Sequence, residues 1–466
     1  RIIHKKCRSE ILPPPIMGEA KKERRNLAVT ICTSNSTQLS RCKRRKVTAA
    51  FEGGNVTSDG GCLLLREAEK KLGLIKEVAK RLPDTRRKSS VEHSYASILK
   101  QRVMGMALGY EDQNDHNELR NDLALQTAIG RVSPLASQAT INRFENSATE
   151  DWAWIVHEVL IEKFISSYDV PPRRIILDFD ATDDPIHGHQ IRRAFNGYYD
   201  CYCFLPLYVF CGQHLLAAYL RPSKIDGARN SRALLKLLVQ RIRKDWPGVT
   251  IVLRGDCGFN RGELLRWCEN NNIYYVIGFP KNKRIDKECQ KHAEEAKRRS
   301  ERRGRKVRVF GELLYQTKKS WKCSRRIIVR AESENGEFNP RYVVTNLKYS
   351  PKHIYTKLYC ARGDMENRIK EQQLHLFADR TSAHEWWPNQ FRLLLSSLAY
   401  TLVDFIRREA LSGTEMARAQ CNTIRLKLFK IGAIITRNTR RIVFLLSASC
   451  PYQELFNIAA ARLCKT

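Results

Sequence analysis

The chain has 466 residues, 42% of them hydrophobic, which is long enough for more than one domain and too apolar for an extended disordered chain. Eighty-two Lys and Arg against 49 Asp and Glu leave a formal net charge of +33, which points to a polyanionic partner, most simply nucleic acid. No apolar run approaches the ~18 residues of a membrane span, and fifteen cysteines without a CxxC pair read as reduced thiols of a cytoplasmic protein, not as a disulfide framework or a metal clip.

Residues 1–46 carry thirteen Lys or Arg against three Glu, with three prolines at 13–15, and read as a flexible basic arm. They lack the apolar core of a secretory signal, and the stretch ahead of Met17, the first methionine, reads as upstream or truncated sequence. From about 60 to 165 the periodicity is helical, in CLLLREAEKKLGLIKEVAKRL, YASILKQRVMGMALGY and EDWAWIVHEVLIEKFISSY, which suits a helical DNA-binding domain over 47–170. Ser137 and Thr140 are candidate caps for INRFEN. The stretch 171–280 changes character. RRIILDFDA is a short β-branched run, CYCFLPLYVFC and HLLAAYLRP flank a Gly212 turn, and the strands VTIVLRGD and IYYVIGFP alternate with the helices SRALLKLLVQRIRKDW and RGELLRWCENN. That order predicts a mixed sheet flanked by helices. A charged and β-stranded insertion is expected over 281–350, helix again over 351–411, and a C-terminal helical region over 412–466.

The stretch LDFDATDD places Asp178, Asp180, Asp183 and Asp184 within seven positions of a very basic chain. Crowded carboxylates raise one another's pKa unless a cation compensates. Asp180 closes the first strand of the sheet and Asp256, in RGD, closes the strand after the first crossover helix. Both therefore fall at a carboxyl edge, where open α/β sheets bind ligands. If YCARGDMENRIKE is helical, Tyr359, Arg362, Glu366 and Lys370 share one stripe that sets a carboxylate beside cations. Oxygen ligands of this kind suit Mg²⁺, and two such ions clamp the attacking and leaving oxygens of a phosphoryl transfer.

Together LDFDATDDPIHGHQ, FNGYYDCYCFLPLYVFCGQHLLAAYLRPS, VLRGDCGF and YCARGDMENRIKE resemble the DDE transposases of bacterial insertion sequences, in particular the insertion sequence 1380 family. SDGGCLLLRE, ALGYEDQNDHNELRND and TINRFEN extend the resemblance from about residue 47 to the C-terminus. It implies an α/β, RNase H-like mixed-sheet core interrupted by a β-stranded insertion, behind an N-terminal helical DNA-binding domain. It also implies a metal-dependent cut-and-paste enzyme that uses two Mg²⁺ ions, with Mn²⁺ able to substitute. Such an enzyme acts on the terminal inverted repeats and target DNA, as a homodimer in the synaptic complex, close to the bacterial nucleoid. Carried onto this sequence, the catalytic and metal-binding acids are Asp180 (with Asp178 as the fallback), Asp256 and Glu366. The Tyr–Arg–Glu–Lys pattern of related transposases places Tyr359 and Arg362 beside DNA. The patterned lysine position holds Gln373, so Lys370, one turn after the glutamate, takes the phosphate-contact role. Trp321, in the basic KKSWKC, is a candidate for stacking on an extruded base.

EDQNDHNELRND around His116 reads as solvated or capping acids, His187 and His189 as polar loop residues, and Trp386 and Trp387 as packing between helices. Two other functions fit the composition: a regulatory DNA-binding descendant without chemistry, and a plain RNase H-like nuclease.

Overall fold

The computed structural model describes residues 36–334 and 337–465. The described residues fall into two compact units, divided at Gly54–Asn55. Within the first, Ser36–Cys42 and Arg45–Ala50 pair as an antiparallel hairpin. Much of the expected basic arm lies outside the described residues, and its last stretch is this ribbon, not a featureless tether. Its RCKRRK turn brings five cations together with no acid.

The second unit is built on one large sheet with helices on both faces. Its strands are β1 (Arg174–Ala181), β2 (Leu207–Cys211), β3 (His214–Tyr219), β4 (Thr250–Gly255), β5 (Tyr274–Phe279), β6 (Val307–Tyr315), β7 (Arg325–Glu334) and β8 (Arg341–Thr345). They lie in the order β6-β7-β8-β5-β4-β1-β2-β3, with a two-residue strand, Glu337–Phe338, added beside β7. β1, β4 and β5 are mutually parallel and every other pairing is antiparallel. Gly212, at φ +60, makes the tight β2–β3 turn that the sequence predicts.

Alternation along β1 sorts the two faces. Ile175, Leu177 and Phe179 enter a core with Leu253, Ile277 and residues of the helices Ser231–Asp245 and Gly262–Asn270. Ile176, Asp178 and Asp180 have the opposite parity. On that face Val252, Val276, Ile328 and Val343 pack under Ile354, Tyr355 and Leu358.

Three of the expected segments pack closely against their neighbours. The β-stranded insertion continues the central sheet: β8 pairs with β5 from Val276 opposite Thr345 to Phe279 opposite Tyr342, so the segment widens that sheet. The helices of 62–160 form no separate domain, because Leu64, Ile98, Phe144 and Trp152 share a single core with Phe391, Leu398, Leu428 and Phe456. The C-terminal region is not wholly helical: Ala433–Arg437 and Ile442–Leu446 form a hairpin that also pairs with Val56–Thr57. Beside that junction Gly61 donates its N–H to the Phe429 carbonyl at 3.1 Å, and a Cβ there would fall 1.8 Å from the Leu428 carbonyl oxygen. Glycine is the residue that lets the two ends of the unit approach so closely. Among the described residues no helix is long and apolar enough to cross a membrane.

Candidate active site at the carboxyl edge of the parallel strands

β1 and β4 run in register, Asp178 opposite Arg254 and Phe179 opposite Gly255. The next step along each strand places Asp180 and Asp256 side by side, on the same face by parity. They differ in setting. Asp256 caps the short turn Cys257–Phe259, its Oδ1 accepting from the Gly258 N–H at 2.9 Å. Asp180 accepts from the Ala181 N–H at 3.1 Å. Burial first, then the neighbouring Asp256 and Glu366 charges, push its acid up to about 7, against the opposing pull of Arg362.

Asp178, the alternative first acid, is committed elsewhere. Arg254 grips it with two donors, Nε to Oδ1 and Nη2 to Oδ2 at 2.7 Å, and Arg254 Nη1 reaches the Leu358 carbonyl at 2.6 Å. The pair is buried between the sheet and the segment that leads to Glu366. Arg254 was not singled out from the sequence. Its signal was present in the shared parity of Asp178 and Arg254 on two strands, but the register that joins them depends on the folded sheet.

The third acid arrives on the helix Gly363–Leu376. Ahead of it come a π-helical turn, Ile354–Tyr359, and a 3₁₀ turn, Cys360–Arg362. The expected single stripe is therefore broken by a wide turn followed by a tight one, a local irregularity common at functional positions. Arg362 still spans the acids: its Nη2 pairs with Glu366 Oε1 at 2.6 Å and its Nη1 lies 3.8 Å from Asp180 Oδ2. Tyr359 comes from the wide turn to lie over Gly278 of β5. A Cβ on that glycine would meet the Tyr359 hydroxyl at 2.7 Å and the Cys257 backbone nitrogen at 2.8 Å. Burial and the nearby Asp256 charge push the phenol up to about 12, against Arg362.

The fold thus brings together Asp180, Asp256, Glu366, Arg362 and Tyr359. Lys370 is exposed one turn beyond Glu366. Gln373, at the patterned lysine position, donates from Nε2 to the Asp183 carbonyl at 2.9 Å and ties the helix to the strand end. Trp321 does not join the site. It is 3% exposed and packs against Phe279 and Tyr315, with the Arg325 guanidinium 5.1 Å from its ring, so it is unavailable to stack on a base. A basic neighbourhood in sequence did not separate a surface ring from a buried one. His116 is likewise a core residue: its Nδ1 meets Gln101 Nε2 at 3.2 Å, and burial lowers its pKa to about 3.

As donors, three carboxylates are the hard oxygen set that suits Mg²⁺ or Mn²⁺. Asp180, raised to about 7 by burial first and then by the Asp256 and Glu366 charges, is an acid that a nearby cation would stabilise in its ionised form. The set is not drawn tight: among the described residues no three His, Cys, Asp or Glu converge as ready metal ligands, and the Arg362 guanidinium is the cation between Asp180 and Glu366.

The architecture is a mixed α/β sheet with two acids at adjacent ends of parallel strands, the edge at which open α/β sheets bind ligands. The family model Transposase DDE domain group 1 matches residues 39–466. The chain belongs to that family of transposases, proteins of DNA recombination and transposition. Among solved structures it is similar to a piggyBac transposase synaptic complex with hairpin DNA, at 12% identity, TM-score 0.42 and 80% coverage of both chains. No curated protein matches it.

Proposed function

We propose that the protein cleaves DNA at the ends of an insertion sequence and joins them to target DNA, with Asp180, Asp256 and Glu366 as its catalytic acids. The reading rests on one observation above the others: two carboxylates at adjacent parallel strand ends, on one face, with the Arg362–Glu366 pair across them. The order β3-β2-β1-β4-β5, an antiparallel trio continued by two parallel strands, supports an RNase H-like core. The same stretches that resemble the insertion sequence 1380 family support a cut-and-paste reaction on terminal inverted repeats, carried out by a homodimer.

Asp180 and Asp256 would hold a divalent cation, Mg²⁺ or Mn²⁺, between them, and Glu366 a second once released from Arg362. Bound there, the ions supply charge neutralisation and Lewis acidity for in-line displacement at a phosphodiester. Arg362 then becomes free to contact the phosphate, Tyr359 braces the Asp256 turn, and exposed Lys370 meets the backbone further along. The net charge of +33 provides the attraction for DNA.

A second reading has its own observation. With Arg362 seated on Glu366 and no converged ligand trio among the described residues, a regulatory descendant would bind ends without cutting. One experiment separates the two: Mg²⁺-dependent cutting of a duplex carrying the element's terminal repeat, with binding followed by gel shift. The enzyme reading expects wild type to cut, and Asp256→Asn and Glu366→Gln to bind equally well while cutting about 10³-fold or more slowly. Wild type that binds and never cuts with Mg²⁺ or Mn²⁺ would establish the regulatory reading.

A further inference from the structure

Immediately after β1 the chain makes a small three-stranded sheet from Asp184–Pro185, Ala194–Asn196 and Cys201–Phe204. Its outer part, residues 191–202, is unusual in what it shows to solvent. Ile191, Phe195, Tyr198 and Tyr202 are 39%, 52%, 88% and 49% exposed. So many large apolar side chains in one short segment mark an interaction site better than they mark a solvated surface.

The segment is also held in place. Ser223 Oγ donates to the Ala194 carbonyl at 2.7 Å, Asn196 Nδ2 donates to the Ser223 carbonyl at 3.1 Å, and the Ile191 N–H donates to the His384 carbonyl at 2.9 Å. Arg192 and Asp200 adopt φ +67 and +55, a region in which non-glycine residues are uncommon and which fixes the two bends of the flap. Phe195 and Tyr202 stand edge to face at 5.6 Å, and the Arg193 guanidinium lies 5.0 Å from the Tyr202 ring centre. Rings of this sort lose little freedom when something stacks on them.

Location supplies the rest. Tyr199, 4.9 Å from the Tyr198 ring, donates its hydroxyl to the Ala181 carbonyl at 3.5 Å, one residue past Asp180. The flap therefore borders the strand end where a phosphodiester would be processed. Paired bases hide their faces inside the helix. Only unpaired bases offer faces to rings, and their phosphates suit the adjoining guanidinium groups.

We propose that the flap of residues 191–202 is a stacking platform for unpaired nucleobases of the DNA strand beside the scissile phosphate, with Tyr198 as its outermost ring. The proposal rests on the DNA-processing reading given above and adds to it what holds the strand end open. Two duplexes of one sequence test it, one blunt and one with a short single-stranded extension carrying 2-aminopurine, with divalent cations chelated so that binding alone is read. Wild type is expected to bind the extended duplex about tenfold tighter than the blunt one and to quench the 2-aminopurine emission. Tyr198→Ala should lose both effects with unchanged affinity for the blunt duplex, and Tyr198→Phe, which keeps the ring, should retain both. Equal affinity of wild type for the two duplexes overturns the proposal alone. So does a preference that survives Tyr198→Ala and Phe195→Ala together. A loss of self-association in sedimentation, with base quenching intact, would assign the patch to a second copy of the chain and overturn it equally. Failure to bind either duplex removes the DNA-processing reading and the proposal with it.

Discussion

Asp178, Asp180 and Asp184 are near neighbours in sequence and have three different fates. The first is neutralised by Arg254, the second stands at the open strand end, and the third is buried under a loop. Asp184 Oδ2 accepts from the Thr381 hydroxyl at 2.9 Å, whereas its Oδ1 is buried with no partner. Burial, aided by Asp379 and Asp183 and opposed by Thr381, pushes this acid from 3.8 up to about 8. The folded pKa is raised above the unfolded one. Its contribution to stability is therefore complete below about pH 4 and is lost as pH rises through about 8. Urea denaturation across that range should show stability falling toward alkaline pH. Asp184→Asn should remove much of the fall, a difference on the order of a few kcal/mol at pH 9. An unchanged pH profile would mean that the acid is ionised in the fold. The crowding of these acids was legible in LDFDATDD. Their division of labour was not, because it depends on Arg254, 76 residues beyond Asp178, on Thr381 and on Arg362.

At the scale of elements, most strands and helices of the central region follow the sequence periodicity closely, since each amphipathic stretch meets a sheet face. The lead-in to Glu366 departs from it. A regular helix was expected from Tyr359 onward, and a π turn followed by a 3₁₀ turn stands there instead. Hydrophobic spacing carries little information about such a local change of pitch. What demands the change is β5 beneath it, where Gly278 admits the Tyr359 hydroxyl against the strand and the Asp256 turn. Gly278→Ala should force both apart, costing about 1–3 kcal/mol of stability by overpacking. Its effect on DNA cutting should exceed its effect on folding, because the displaced backbone carries Asp256. Comparison of cleavage rates at a temperature where both proteins are folded checks this, and equal rates would detach the Gly278–Tyr359 contact from the site.

For the whole second unit, the sequence led to separate parcels and the fold joins them. Helices before residue 165 and after 386 bury their apolar faces against each other, with Phe144, Trp152 and Phe391 in one aromatic cluster at centroid distances of 5.3 to 5.6 Å. Amphipathic faces announce that they will be buried and leave open what buries them. The expected outcome is one cooperative thermal transition for residues 55–466, seen alike by far- and near-ultraviolet circular dichroism. A fragment of 55–170 made alone should lack fixed tertiary structure, and two resolved transitions would restore the separate helical domain.

The widened sheet bears on another hazard. Without the strands β6, β7 and β8, the largely buried run YYVIGF of β5 would end the sheet as an open, hydrophobic edge able to recruit another chain. Adding β8 against it transfers the unpaired edge outward to β6, where Arg308 and Glu312 alternate toward solvent and a charged helix, Gln290–Arg303, lies alongside. The segment that forms β6, β7 and β8 thus covers an edge of β5 that would otherwise be open to pairing with another chain. Removing that segment would expose β5, the neighbour of the strand that ends at Asp256.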